Sequence, residues 1–323
     1  MTVEKSPFAF LRKPEIGSCV ALLSLVAIFS VIAPHFLSFE SWGALISSST
    51  ELGIIALGVT LLLIAGEIDL SVGAIFAVGG IFYAHGVLTW NLHPVLTFVL
   101  TLSLGAALGA FNGYLTVKTN LPSFIITLGT MMFWQGCLLV FTNGFPIADL
   151  DARSGVHWLA SDLIYGFRIS FLIWMILGLA FMYLLKRSSL GNWIMATGGN
   201  EQAAFAMGIR TAGVKVFCFA VTGALAALAA IIQFAHLETI SPLAGEQYAL
   251  KAIAIAVMGG TALSGGVGTV LGSLIGTLIL GVLTTGLVQA GISNYWFRAI
   301  VGVILIAAVL INGRVLKLLR IET

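Results

Sequence analysis

The chain has 323 residues, of which 59% are hydrophobic and only 9% are charged, with a formal net charge of +2. A soluble domain typically has about 25% charged residues, so this chain has too few to cover a surface that faces water. The near-neutral charge also excludes the basic footprint of a nucleic-acid-binding protein, and no nucleic-acid partner is expected. The composition therefore indicates a protein whose solvent is membrane lipid.

The chain contains long apolar runs, close to the roughly 20 residues that a membrane-spanning helix needs. These runs predict helices, because a membrane β-barrel would show segments of about ten residues with alternating polarity. The runs fall at about residues 16–33, 44–65, 70–88, 95–117, 122–142, 169–185, 214–234, 248–263, 267–290 and 296–313. We therefore predict an all-α integral membrane protein with about ten transmembrane helices, forming a single domain over residues 1–323.

The positions of Lys and Arg predict the orientation of this domain. With the N-terminus inside, four of the 15 basic residues fall on outer segments and the others on cytoplasmic ones, as the positive-inside rule favours. The four outer residues are Arg153, Arg168, Lys251 and Arg298. Both termini are then cytoplasmic tails, at about residues 1–15 and 314–323. The long loop at about 186–213 is also cytoplasmic, whereas the loop at 143–168 faces outside.

The second and third runs are joined by residues 66–73, which read Gly-Glu-Ile-Asp-Leu-Ser-Val-Gly. An acidic residue at mid-membrane costs roughly 2.5–3.5 kcal/mol, so Glu67 and Asp69 are expected at a membrane boundary or in a polar cavity. Asp69 is expected to cap the next helix by accepting hydrogen bonds from its free N–H groups. A structural turn and a functional site both fit this segment.

A second glycine-rich turn occupies residues 259–268, which read Gly-Gly-Thr-Ala-Leu-Ser-Gly-Gly-Val-Gly. Its candidate residues are Gly259, Gly260, Ser264, Gly265 and Gly266. Like residues 66–73, it joins two apolar runs and contains Leu-Ser, so an internal duplication is a hypothesis. Glycines also recur every four residues, at 105, 109 and 113 and again at 268, 272 and 276. This spacing puts them on one helix face and predicts close helix packing.

The most informative segment is the cytoplasmic one at 191–209. Asn200 is a good N-cap after two glycines, and Gly208 is a good helix stop, so the sequence predicts a short helix between them. So short a helix is marginal alone in water. Its small and apolar residues therefore need a surface to pack on, either a soluble partner protein or the bundle of this chain.

Four segments together resemble the ribose/xylose-type permease subunits of ABC transporters. They are residues 66–73, Ile-Thr-Leu-Gly-Thr at 126–130, residues 198–209 and residues 259–268. The resemblance extends over about residues 16–313 and keeps the family's order. It implies the ABC importer permease fold and a multi-pass protein of the bacterial inner (cytoplasmic) membrane.

The resemblance also implies partners. Such a permease pairs in the lipid with a second, identical or different, permease subunit, receives a solute from a periplasmic solute-binding protein, and is driven by a cytoplasmic ABC ATPase. The coupling helix that meets the ATPase is implied at Gly199, Asn200, Glu201, Ala203, Ala204 and Gly208. The signature turn is implied at Gly66, Asp69, Leu70, Ser71 and Gly73. Position 67 varies in this family, so we assign no chemistry to Glu67.

The expected function is import of a sugar or sugar-like neutral polar solute of the ribose/xylose class. The chain is not expected to be an enzyme or to hold a cofactor or metal. It has no Gly-Lys dipeptide and hence no phosphate-binding loop, so ATP hydrolysis is expected in a partner protein. Polar residues within spans either line the passage or bond to neighbouring helices. These are Asn112, Thr127, Thr130 and Gln135. The charged outer loop at 143–168 is the candidate surface for the binding protein.

Three alternatives remain open. A permease for branched-chain amino acids shares this architecture, but a charged substrate would favour an intramembrane ion pair, and only Glu51 is expected inside a span. An ion-coupled secondary transporter would need no docking helix. An intramembrane enzyme would need a catalytic cluster, whereas the five histidines are scattered over the outer side. They are His35, His85, His93, His157 and His236.

Overall fold

The computed structural model describes residues 14–149, 154–164 and 166–292, together with residues 296, 299, 300, 302, 303 and 306. The helices in this part are α1 Pro14–Ile32, α2 Phe39–Ile64, α3 Val72–Leu88, α4 Pro94–Thr119, α5 Ser123–Thr142, α6 Ile169–Arg187, α7 Ser189–Gly199, α8 Glu201–Ala206, α9 Thr211–Leu237, α10 Tyr248–Met258 and α11 Val270–Gln289. The strands are β1 Ile147–Ala148, β2 Asp162–Ile164, β3 Phe167–Arg168 and β4 Thr239–Ile240, and a 3-10 helix covers His157–Ala160.

Nine of these helices coincide with the first nine predicted apolar runs. Within the described ranges, seven helices are long and apolar enough to cross a membrane, namely α1, α2, α4, α5, α6, α9 and α11. The other two, α3 and α10, are apolar but have only 17 and 11 residues. The tenth run at 296–313 and the two tails lie wholly or largely outside the described residues. The ten-span count and the side of the termini therefore stay predictions.

The bundle is centred on α9, which packs along α2, α3 and α4. Gly105, Gly109 and Gly113 of α4 lie directly against the main chain of α9. Gly272 and Gly276 of α11 lie in the same way against the main chain of α10 and its C-cap. The prediction of close helix packing is therefore confirmed for these five glycines, whereas Gly268 precedes α11 and contacts the side chains of Ile64 and Thr261 instead.

The two ends of the bundle are built differently. At one end, β1 pairs antiparallel with β4, with Ile147 opposite Ile240, and we name this the strand end. The β2–β3 hairpin and the 3-10 helix belong to the loop that carries β1. At the opposite end lie α7, α8 and the two glycine-rich turns. The loops at 143–168 and 186–213 thus lie at opposite ends of the bundle, and which end faces the cytoplasm stays a prediction.

The sequence analysis did not predict α7, because glycines at 191, 198 and 199 disfavour a helix. The hydroxyl of Ser188 begins α7 as its N-cap and accepts a hydrogen bond from the N–H group of Gly191 at 3.1 Å. Gly191 also lies against the main chain of Leu185 in α6, and Ile194 is fully buried. Tertiary packing therefore outweighs local propensity in this helix.

Candidate functional site

Three segments that the sequence analysis singled out meet at one point, which we name the glycine junction. It comprises residues 64–67, 198–201 and 264–266. The N–H group of Gly266 donates to the carbonyl oxygen of Ile64 at 2.9 Å, and a Cβ added to Gly198 would overlap that same oxygen. Gly66 and Gly265 have φ angles of +85° and +82°, which favour glycine. The two turns thus contact directly the segment that leads into α8.

The two turns end their preceding helices in the same way. The N–H groups of Gly66 and Gly260 donate to carbonyl oxygens three residues earlier, and those of Glu67 and Thr261 donate to carbonyls five residues earlier. This is the usual pattern in which a left-handed glycine closes a helix. Because α8 closes in the same way at Gly208, the pattern is too common to test the duplication, which stays a hypothesis.

Lys215, near the start of α9, joins α8 to the first turn. Its ammonium nitrogen lies 2.7 Å from a carboxylate oxygen of Glu67 and 2.7 Å from one of Glu201. The side chains of Lys215 and Glu67 are only 14% and 9% exposed, whereas that of Glu201 is 48% exposed. Glu67, to which we assigned no chemistry because its position varies in the family, therefore forms a largely buried ion pair with a partner that is distant in sequence.

The helix predicted after Asn200 is present as α8. The side-chain oxygen of Asn200 accepts a hydrogen bond from the N–H group of Ala203 at 3.0 Å, as an N-cap does. Ala204 is buried against the bundle, but Phe205 and Met207 are 70% and 84% exposed. The segment therefore presents two large apolar side chains outward at the end of the bundle opposite the strand end.

Asp69 holds the signature turn and does not cap α3 as predicted. Its Oδ1 accepts hydrogen bonds from the N–H and the hydroxyl of Ser71, at 2.8 and 2.6 Å. Ser71 is itself the N-cap and α3 begins at Val72, so the short side chain reaches only the N–H two residues ahead. Burial raises the pKa of the Asp69 carboxyl, against the opposing effect of the two bonds from Ser71.

Two of the four predicted passage residues support this turn. The amide of Asn112 donates to the hydroxyl oxygen of Ser71 at 2.7 Å, and the Thr127 hydroxyl accepts from the N–H of Leu70 at 3.0 Å. Asn112 and Thr127 are fully buried. Thr130 and Gln135 lie further along α5 and are half-buried, so the structure does not bring all four together. Their role in a passage stays a prediction.

The other predicted site residues lie close to these turns. Gly73 lies against the carbonyl oxygen of Gly245, and Gly259 lies against Gly272 at the start of α11. Ser264 is exposed at the tip of the second turn.

A buried polar cluster that the sequence analysis missed lies between α2, α9 and α10. A ring nitrogen of His236 lies 2.7 Å from one carboxylate oxygen of Glu51. The Gln233 amide donates to the other oxygen at 3.2 Å and to the Tyr248 hydroxyl at 2.8 Å. An ionisable residue inside a membrane bundle marks either a function or a firm pairing. In the described part of the chain, no three His, Cys, Asp or Glu side chains are arranged to hold a metal ion.

A cavity of about 150 Å³ lies between α2, α10 and α11 and shares Tyr248 with this cluster. Its polar lining is Ser48, Ser49, Tyr248, Lys251, Thr277 and Thr284. Apolar residues of the same three helices complete the wall. The ammonium nitrogen of Lys251 lies 6.0 Å from the centre of the Tyr248 ring. Lys251, predicted to lie on an outer segment, therefore lines this cavity, which is partly open at the surface of the bundle.

The outer loop contains one buried and one exposed acidic residue among those described. Asp149 is buried and accepts a hydrogen bond from the N–H of Ser154 at 2.7 Å. Asp162 is 65% exposed and lies 3.5 Å from the guanidinium of Arg168. The two other predicted charges, Asp151 and Arg153, lie outside the described residues. Asp149 thus organises the loop, whereas Asp162 and Arg168 form part of its surface.

Comparison with known proteins identifies the class to which this bundle belongs. Residues 42–309 match the family described as branched-chain amino acid transport system / permease component. The chain belongs to this family of multi-pass membrane permeases of ABC importers. As a permease, it is a transport component and not an enzyme.

Individual relatives confirm the resemblance found in the sequence. The ribose import permease protein RbsC of Escherichia coli K12 is 36% identical over 307 residues, which cover 93% of this chain and 94% of the relative. RbsC of Bacillus subtilis 168 is 37% identical over 300 residues, covering 93% of each chain. The autoinducer 2 import system permease protein LsrC of Photorhabdus laumondii is 33% identical over 306 residues, covering 93% of this chain and 89% of the relative. No solved structure matches the chain.

Proposed function

We propose that this chain is the membrane-spanning subunit of a binding-protein-dependent ABC importer that brings a sugar or sugar-like neutral polar solute into the cytoplasm. Relatives named for import of ribose and of autoinducer 2 support the solute class. In this proposal the chain crosses the bacterial inner membrane ten times, with both termini in the cytoplasm. It pairs with a second permease subunit and receives the solute from a periplasmic binding protein.

The observation that carries the proposal is the exposure of Phe205 and Met207 next to the start of α8, which is fixed to the bundle. These side chains are 70% and 84% exposed, which is costly on a helix of only six residues unless a partner covers them. The base of α8 is tied to the bundle by Lys215 and by the glycine junction. We infer that α8 is the docking helix for the ATPase, because a force applied to it reaches both turns directly.

The proposed mechanism is mechanical and needs no covalent chemistry in this chain. Closure of the ATPase subunits on ATP would move α8, and the glycine junction would pass this movement to α2, α3, α10 and α11. The bundle would then rock between states that open to opposite sides of the membrane. ATP and solute shift this equilibrium only by their different affinities for the two states.

Removal of the two exposed side chains tests the docking helix. We expect Phe205→Ala combined with Met207→Ala to weaken co-purification of the ATPase by at least about tenfold, since exposed apolar anchors dominate such interfaces. ATP-dependent uptake should fall in parallel. Leu237→Ala is the matched control, because Leu237 is 59% exposed at the strand end. Undiminished capture of the ATPase by the double variant would overturn the docking role.

A second candidate solute is a branched-chain amino acid. The family description names this class, and the buried Glu51–His236 contact provides the intramembrane pairing that a charged substrate would favour. The two candidates are separated by uptake of labelled D-ribose and L-leucine in cells with and without the gene. Uptake of leucine alone that depends on the gene would reverse our preference.

A further inference from the structure

The two short helices of the bundle meet below its surface. The rings of Phe76 in α3 and Tyr248 in α10 contact edge to face, with centres 4.9 Å apart. Gly73 lies against the main chain of Gly245, in the non-helical segment that leads into α10. An apolar helix of 11 residues spans about 16 Å, roughly half of the hydrocarbon core. The N-terminal end of α10 therefore lies inside the bundle.

The cavity lies at the same depth. Ser48 precedes the end of α2 at Ile64 by about 24 Å along the helix axis, and Thr277 follows the start of α11 at Val270 by about 10 Å. Both helix ends belong to the bundle end that carries the glycine-rich turns. The lining also includes Ile255, three residues before the end of α10, so the cavity extends from about 5 to 24 Å from that end and includes the middle of a core of about 30 Å.

The lining presents hydrogen-bond acceptors beside one cation. The hydroxyls of Ser49, Thr277 and Thr284 donate to carbonyl oxygens of their own helices at 2.7, 2.9 and 2.8 Å. Their donor capacity is therefore spent, but each oxygen keeps lone pairs that accept. Lys251 brings an ammonium group, which only donates, and the Tyr248 ring offers an apolar face.

We propose that this cavity is a solute-binding site within the subunit and that it takes a neutral polyhydroxylated molecule. The hydroxyls of such a molecule both donate and accept, so they match acceptor oxygens beside the donor groups of Lys251 and Tyr248. Its C–H face matches the Tyr248 ring and the apolar walls. A solute that only accepts hydrogen bonds, such as a carboxylate, would leave the lining oxygens unmatched. The inference rests on the proposed function, since it assigns a location to the solute of that importer.

The site is tested by measuring uptake in cells with and without the gene, because the difference is the uptake that depends on this protein. The probes are radiolabelled D-ribose, D-xylose, myo-inositol and L-leucine. We expect Thr277→Val combined with Thr284→Val to reduce uptake of a sugar or polyol by about tenfold, as the loss of two hydrogen bonds implies. Thr101→Val is the matched control, because Thr101 is as buried as Thr277 and bonds its own helix at 2.7 Å but does not line the cavity.

Two variants of Lys251 test the ligand class. Lys251→Gln keeps a hydrogen-bond donor and should therefore retain more uptake than Lys251→Met. An equal loss of uptake in both variants would indicate a charged ligand and overturn the assignment of a neutral polyhydroxylated ligand. ATPase capture in detergent must stay unchanged in every cavity variant, which separates solute binding from assembly. Normal sugar uptake by the double threonine variant would overturn the site and leave the proposed function standing. Uptake of none of the sugars and polyols by the unaltered protein would overturn the proposed function itself.

Discussion

The ammonium nitrogen of Lys215 lies 2.7 Å from a carboxylate oxygen of Glu67, and this largely buried ion pair connects α9 to the turn between α2 and α3. The same ammonium group holds Glu201 of α8 at 2.7 Å. One side chain therefore links the proposed docking helix, the central helix and the signature turn. Glu67, although its position is variable in the family that the sequence resembles, contributes to this link.

Loss of the Lys215 ammonium should destabilise the fold, because Glu67 would be left buried without its partner. We expect Lys215→Met to lower the free energy of unfolding by about 3 kcal/mol, the cost of breaking a buried pair from one side. Reversible unfolding in mixed detergent micelles measures this change. Lys215→Arg should retain most of the stability. Glu201→Gln should cost less than about 1 kcal/mol, because the Glu201 carboxylate is itself 48% exposed. Equal losses of unfolding free energy for Lys215→Met and Glu201→Gln would contradict the prediction that the buried Glu67 pair contributes more than the exposed Glu201 pair.

A methyl group at Gly198 should force the glycine junction apart. Its Cβ would overlap the carbonyl oxygen of Ile64, so we expect Gly198→Ala to destabilise the protein by about 1–3 kcal/mol and to lower uptake. Gly136→Ala is the control, because a Cβ there meets no atom within 4 Å and alanine favours a helix by up to about 1 kcal/mol. The same unfolding assay applies. A neutral Gly198→Ala variant would show that the segments do not pack this closely.

The buried carboxyl of Asp69 predicts a dependence of stability on pH. Burial raises its pKa from an ordinary value of 3.8 to about 6, so the folded protein holds a proton that the unfolded chain releases. Stability from this group is complete below pH 3.8 and declines as pH rises to about 6. Asp69→Asn should remove this part of the pH profile and raise relative stability at pH 7. An unchanged profile between those values would contradict the prediction.

Two variants of the loop at 143–168 should distinguish contact with the binding protein from folding. Asp162 is 65% exposed, so Asp162→Lys should weaken stimulation of ATP hydrolysis by the binding protein while the complex still assembles. Asp149 is buried and accepts the N–H of Ser154, so Asp149→Asn should reduce stability instead. ATPase assays with and without the binding protein, together with thermal unfolding, distinguish the two effects. Full stimulation of the Asp162→Lys protein would remove this surface from consideration.

Local signals made part of the architecture predictable. Apolar length located nine helices, and the Asn200 cap located α8, because both effects act within a few residues of sequence. The Lys215–Glu67 and Glu51–His236 contacts could not be read in this way, since each joins segments that meet only after the bundle forms. The cavity was missed for the same reason. Its hydroxyl residues are ordinary within their own helices, and only the packing of α2, α10 and α11 brings them together.

The pairing of β1 with β4 has a consequence for how the protein is made. Ile147 pairs with Ile240, so four helices must be synthesised, and the long helices α6 and α9 inserted, before the first strand finds its partner. Until then the loop after α5 has an unsatisfied strand edge at the strand end of the bundle. We expect chains truncated before residue 239 to be degraded rapidly in pulse–chase labelling, whereas chains that extend past residue 240 can close this end.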